Sequence, residues 1–417
     1  MRILNILPYS PCPPHFGGAL RIYHLLKEMA RSHEVTVVMY GTREEESLVN
    51  DAFRGELQAI HAVENPLKGS GINKRLAQLR SLVHGKSAMT ESFYSDDMQK
   101  EIDRVVSERR FDLIQLENHP SGLFRIDSPG VPRILDTQNV EHENVRRMAR
   151  ETYSPVRRAF YTREYRKLHR EEKEAYERQD AILVTSSRDK ALIDADIPHV
   201  PKYVIPNGVD TSYFKPSTGS PEAHTLVFTG AMNYFPNADA MIYFLKEIFP
   251  LVRNQIPDVR LYVVGGGPPR QLTALASENV IVTGRVEDVR PYVHRASVYV
   301  VPLRMGGGTR LKVLEAMAME KPVVTTQVGC EGIRVKDRHS VLVADDPGRF
   351  AASVVEAMQD PDLRRRLVTN GRQVVEAEYK WSVIGDRLNE VYAMIMAQNR
   401  ASARAPHIHA TTALTSS

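Results

Sequence analysis

Cysteine is nearly absent from this 417-residue sequence, with Cys12 and Cys330 far apart in the chain, so neither a disulfide framework nor a cysteine-held metal cluster can be built. That scarcity fits a reducing compartment. Long apolar runs are missing too, and nothing approaches the roughly 20 residues that span a bilayer. The apolar start, residues 2–8, is too short and too soon broken by prolines for a secretory segment, so it reads as a buried first strand. Charge of one sign is also lacking. With 55 Lys and Arg against 51 Asp and Glu, the net charge of +4 gives no reason to expect a nucleic-acid partner. The expectation is a cytoplasmic protein, with a peripheral contact at the inner face of a membrane left open.

An apolar share of 42% with 25% charged residues describes a globular protein, and the length suits two domains. Short β-rich runs alternate with helical stretches, as in a parallel sheet covered on both faces. Strands are expected at 3–7, 35–39, 113–116, 134–136 and 181–185. The series then restarts at 226–229, 260–264, 280–282, 298–301, 323–325 and 341–343. A first helix is expected over 19–30, with Ala19, Ile22, Tyr23, Leu26, Met29 and Ala30 on one face. Two such series imply two doubly wound Rossmann-like α/β domains, parted near the prolines of 198–206. The expected division is 1–200, 201–378, a C-terminal helix over 379–398 and a disordered tail over 399–417.

Residues 144–170 carry nine Lys or Arg against Glu151 and Glu164. A solvated helical face explains this; a patch for anionic lipid or a phosphate-bearing acceptor is the alternative. A second basic segment, 68–86, places Ile72, Leu76, Leu79, Leu82 and Val83 among basic residues.

Ligands of doubly wound sheets bind at strand-to-helix turns. Gly17-Gly18 joins the first strand to the first helix, where backbone amides can approach an anion; a tight turn explains the pair equally well. The second turn says more. After strand 298–301 come Gly306-Gly307-Gly308, then Thr309-Arg310-Leu311-Lys312 and Glu315. Thr309 is the expected N-cap, which puts Arg310 and Lys312 in the first helical turn. Cations there oppose the helix dipole unless an anion lies between, so the turn reads as a diphosphate site. Glu315, a turn further on, could accept hydrogen bonds from ribose hydroxyls. The alternative is a Lys312–Glu315 surface pair beside a flexible loop.

At these residues a resemblance can be named. Segments 204–210, Phe228-Thr229-Gly230, Gly284-Arg285-Val286, 296–302, Leu314-Glu315-Ala316-Met317-Ala318 and Lys321-Pro322-Val323-Val324 together resemble a family-4 glycosyltransferase of the GT-B fold. The resemblance implies two Rossmann-like domains facing across a cleft, with the helix near 381–396 crossing back to the first. It implies donor contacts at Gly17, Gly18, Gly230, Arg285, Val286, Gly307, Gly308, Thr309, Leu311 and Glu315. Glu315 matches the second glutamate of the family's E-x7-E motif, and Gly307 stands where the first would be. The Arg and Lys common after the turn matching Gly230 are missing from 231–237; Arg310 and Lys312 are the expected substitutes for neutralising the leaving group.

In the first half, Glu117 and His119 end a strand where the family often has a histidine, and either could meet the acceptor or the transferred sugar. Asn139, Glu141 and His142 end the next one and are expected on the acceptor side. Asp194-Ala195-Asp196 has a metal-binding form but precedes Ile197-Pro198 at a helix end, so neither a metal nor a cofactor is expected. The reading is a metal-independent retaining hexosyltransferase of polysaccharide or glycoconjugate synthesis. It would take a sugar from a nucleoside-diphosphate donor to a glycan or lipid-linked acceptor. A sugar-nucleotide epimerase and a catalytically silent sugar-nucleotide-binding module are the rivals. A nicotinamide oxidoreductase is disfavoured because Gly265-Gly266-Gly267-Pro268-Pro269 lacks the G-x-G-x-x-G spacing.

Overall fold

A computed structural model describes residues 1–65, 77–81, 83, 85–152, 154–306 and 308–404. The chain divides into two compact units. The first comprises Met1–Leu183, Ile193–Tyr203 and the chain from Asp386 on; the second comprises Val184–Leu192 and Val204–Gly385.

The first sheet, within the first unit but for the end residues Val184 and Val204, holds strands β1 (Arg2–Leu7), β2 (Glu34–Tyr40), β3 (Ala59–Val63), β4 (Leu113–Glu117), β5 (Arg133–Thr137), β6 (Ala181–Val184) and β7 (Lys202–Val204). They lie in the order β3-β2-β1-β4-β5-β6-β7. β1 pairs parallel with both β2 and β4. Ile3, Leu4, Ile6 and Leu7 are all fully buried, as in a strand covered on both faces, which is why β1 reads as an apolar run and not an alternation. The two strands that the sequence did not suggest, β3 and β7, are the sheet edges. All five residues of β3 are only partly buried and β7 is three residues long, so neither leaves a hydrophobic signature.

The helix Gly17–Ala30 starts two residues earlier than expected and buries Arg21 with Ala19, Ile22, Leu25, Leu26 and Met29. Tyr23, expected on that face, is only partly buried and packs edge-on against Phe53. The helix Pro155–Glu177 explains the charge bias of 144–170. Arg157, Arg158, Arg163, Arg166 and Arg170 are exposed, whereas Glu164, Glu171 and Glu172 are buried. Those inward carboxylates accept backbone amides of other helix starts: Ala88 at Glu164, Ser87 at Glu171, and Glu141 and His142 at Glu172.

The second unit holds β8 (Thr225–Thr229), β9 (Arg260–Val264), β10 (Val280–Gly284), β11 (Val298–Val301), β12 (Val323–Thr325) and β13 (Leu342–Val343), ordered β10-β9-β8-β11-β12-β13 with parallel neighbours. Alternate residues feed two cores. Leu226, Phe228, Val298 and Val300 join one face; Val227, Tyr299 and Val301 join the other.

The C-terminal helix runs Trp381–Arg404, past its expected end at 398; the rest of the expected tail, 405–417, lies outside the described residues. Of the basic segment 68–86, Ile72, Leu76 and Leu82 also lie outside them, while Leu79 and Val83 are exposed. No helix among the described residues is long and apolar enough to cross a membrane.

Candidate active site

In the second sheet the strand order reverses between β8 and β11. A parallel sheet leaves a crevice outside the carboxyl ends of the strands flanking such a reversal, and ligands bind there. β8 ends in Thr229-Gly230, and β11 leads to the loop that opens the helix Leu311–Ala318. Beside β8, β9 ends in Gly265-Gly266-Gly267. Gly230 N donates to Val264 O at 2.9 Å and Met232 N to Gly266 O at 2.7 Å, so the two turns lie backbone to backbone. Glycine is required for this approach. A Cβ on Gly265 would stand 1.8 Å from the Gly230 carbonyl oxygen, and one on Gly230 would stand 2.7 Å from Lys312 Nζ.

Lys312 is the centre of the arrangement. From the first turn of its helix its Nζ donates to Asn237 Oδ1 at 2.8 Å and lies 4.0 Å from the centroid of the buried Phe228 ring. Among the described residues it makes no ion pair, so the expected alternative of a surface pair with Glu315 does not form. Burial pulls its pKa down to about 7, against the opposing pull of Glu315 and with the help of Arg310. Burial raises Glu315 to about 7, with Lys312 acting the other way. Glu315 also adds to burial in raising Tyr299, whose hydroxyl is 2.5 Å from Thr229 Oγ1. A cation held among an amide oxygen, an aromatic face and glycine backbone is short of negative charge.

The helix start differs from expectation. Its first residue is Leu311 and Arg310 is the N-cap, with no side-chain capping bond. The Thr309 carbonyl accepts from Leu311 N at 3.1 Å, a tight turn that delays the helical ladder by one residue. Thr309 Oγ1 is buried and finds no hydrogen-bond partner among the described residues. Arg310 is buried, folded back over the loop with Nη1 donating to Gly308 O at 2.6 Å. A Cβ on Gly306, at φ +135°, would meet its guanidinium at 3.1 Å. Gly308 takes φ +70°, and Gly307 lies outside the described residues. Leu311 and Val286 pack against the same apolar core. Arg285 is exposed after Gly284, beside Gly266.

Sequence reasoning passed over two partners. Asn237, seen only as a non-cationic residue in 231–237, is what receives Lys312; its signal was a polar residue just inside a helix start, Phe235–Tyr243. Arg304 is committed to Asp239 in a two-bond ion pair (3.0 and 2.6 Å) and lies over the Tyr243 ring.

In the first unit the reversal lies between β1 and β4. Gly17 begins the first helix, and a Cβ on Gly18 would stand 2.2 Å from Tyr9 Oη and 2.6 Å from Gln138 Oε1. Glu117 is fully buried: Oε1 accepts from Gln115 Nε2 at 2.7 Å, and Oε2 has no partner among the described residues. Burial, then repulsion from Asp136, raises it to about 8 despite Arg21 and Gln115. His119 is buried too, with Nδ1 3.9 Å from Glu172, and burial lowers its pKa. Asn139 donates to Glu141 at 3.1 Å, and His142 Nδ1 lies 2.5 Å from Glu172 Oε2. Both Glu117 and His119 are thus enclosed side chains, held inside the unit.

Residues 223–360, all in the second unit, match the family described as Glycosyl transferases group 1. A lipopolysaccharide core biosynthesis mannosyltransferase of Rhizobium leguminosarum bv. viciae is 25% identical over 241 residues, 54% of this chain and 67% of the relative. A GDP-mannose-dependent monoacylated alpha-(1-6)-phosphatidylinositol monomannoside mannosyltransferase of Corynebacterium glutamicum is 27% identical over 212 residues, 45% of this chain and 55% of the relative. The chain therefore spans between about half and two thirds of those relatives. The fold of sucrose-phosphate synthase from Thermosynechococcus elongatus superposes with a TM-score of 0.67 at 18% identity, covering 95% of this chain and all of that one. The fold is thus the GT-B fold along the chain, and the match to the group 1 glycosyltransferases is seated on the strands and turns of the second unit around Lys312.

Proposed function

We propose that the protein moves a sugar from a nucleoside-diphosphate donor to a hydroxyl of a glycan or lipid-linked acceptor, with retention at the anomeric carbon and without a metal ion. The observation that carries this reading is Lys312, a partly buried ammonium set against Asn237 and Phe228 at a helix N-terminus with, among the described residues, no carboxylate in contact. A diphosphate between the amides of that helix start and Lys312 would restore the charge balance that burial disturbs. The same groups would hold the charge that develops on the departing diphosphate. Thr309 Oγ1 supplies a further donor, and Glu315 can accept from ribose hydroxyls. Two relatives are named mannosyltransferases, one of them GDP-mannose-dependent, which makes GDP-mannose the first donor to try. The exposed arginines of Pro155–Glu177 suit an acceptor at an anionic membrane surface on the cytoplasmic side.

The test is thermal unfolding with UDP, GDP, ADP and their sugar forms. One base series should stabilise the protein, by about 2.7 kcal/mol at a hundred times its Kd. Protection by none of them would overturn the donor site. With the protecting sugar nucleotide in hand, transfer to an acceptor pool and the anomeric configuration of the product test the rest.

A further inference from the structure

The rejected Asp194-Ala195-Asp196 segment meets two histidines in a way no local motif announces. His142 lies at the start of the helix Glu141–Glu151, His169 in the middle of Pro155–Glu177, and Asp196 ends the helix Ser187–Asp196. One ligand atom from each falls within 4.8 Å of the other two. His169 Nε2 is 2.7 Å from Asp196 Oδ2, and the rings of His142 and His169 meet edge-on with centroids 4.6 Å apart.

We propose that the first unit binds one divalent transition-metal ion of the zinc class through His142, His169 and Asp196. The buried Glu172 supplies the supporting contact. It accepts from the backbone N–H groups of Glu141 and His142 and lies 2.5 Å from His142 Nδ1. That contact puts the His142 proton on Nδ1 and leaves the Nε2 lone pair as the donor, the arrangement in which a carboxylate orients a metal-bound imidazole. The donor set of two imidazoles and one carboxylate suits zinc or cobalt, while magnesium and calcium prefer oxygen donors alone. Burial runs from His142, nearly enclosed, through His169 to Asp196, exposed, which leaves an open side for water as a further ligand. Metal bonds of about 2.0–2.1 Å place tetrahedral donors about 3.3 Å apart, so side-chain shifts of about an ångström close the site. The ion would clip the ends of two helices to the middle of a third. This site is independent of the proposed transfer reaction, and its test needs no substrate.

The full chain, stripped with a chelator and dialysed, is titrated with zinc by calorimetry and with cobalt by visible absorption. One equivalent should bind, with the intense absorption of low-coordinate cobalt, and excess magnesium should not displace it. His169→Ala and Asp196→Asn should each weaken binding by about tenfold or more. Zinc should raise the unfolding temperature of the wild type and not of the variants. A wild-type chain that takes up no stoichiometric ion overturns the proposal, leaving a histidine–aspartate pair beside the edge of the His142 ring. Equal binding by the variants also overturns it, since the ion would then lie elsewhere.

Discussion

In the first unit the buried cation Arg21 meets Asp136 through two hydrogen bonds of 3.0 and 2.9 Å, with both side chains essentially without solvent contact. In the second, Lys312 meets an amide oxygen and an aromatic ring. Both stand near a strand-order reversal, where ligands of such sheets are expected. The first cation is already neutralised by the protein, and around it Glu117 is held uncharged to about pH 8 while Tyr392 donates to Gln115. The second is left with a depressed pKa and neutral partners. The contrast separates a polar cluster that closes on itself from one arranged for an anion supplied from outside.

Three measurements can break or sharpen this contrast. The largest effect is expected for Asp136→Asn, which leaves Arg21 buried without its counter-charge. Chemical denaturation should show a loss of about 3–5 kcal/mol. A loss below about 1 kcal/mol would mean that Arg21 does not depend on this pair.

Lys312→Met should cost little stability but weaken nucleoside-diphosphate binding by about 1.5–3 kcal/mol, the range for a hydrogen bond to a charged group. The pH dependence has a defined sign. Free Lys312 titrates near 7, and a bound diphosphate favours its charged form. Binding above that pH therefore takes up a proton, and wild-type affinity should fall as pH rises through about 7. Comparison with Lys312→Met removes the phosphate's own titration. A parallel profile in the variant would discharge Lys312 from the role.

The smallest effect is expected for Glu117→Gln below about pH 4.5, within about 1 kcal/mol, because there the acid is protonated in both states and the amide resembles it. Burial raises Glu117 from 4.5 to about 8, so the wild type loses stability as pH rises through that window while the variant does not. Stability curves of the two should diverge in favour of the variant as pH rises from 4.5 to about 8. Curves that stay parallel from pH 5 to 9, roughly, would show that Glu117 is charged in the folded state.

Much of the scaffold was legible because parallel strands covered on both faces are apolar runs bounded by turns, as in β1, β8 and β11. The edges β3 and β7 were not, since a half-exposed or three-residue strand carries no periodic signal. The turn from Gly306 to Glu315 was legible because glycines, two cations and a helix start coincide in ten residues. Its internal geometry was not: Thr309 was the obvious cap, yet a tight turn at its carbonyl moved the helix start on to Leu311. Arg21 was hidden because helical periodicity assigns a cation to water, and only Asp136, 115 positions away, makes its burial tolerable.

What the sequence by itself determined is the two α/β series, the glycine turns at their strand ends and the residue types gathered at Lys312 and Glu315. These follow from local rules, side-chain period and backbone permissiveness, which act within a few residues. The tertiary structure alone decided that Lys312 points at Asn237, that Glu117 and His119 are enclosed, and that His142, His169 and Asp196 converge. Each of those depends on the burial and charge of groups far apart in the chain, and desolvation and pairing arise only once the strands and helices have packed.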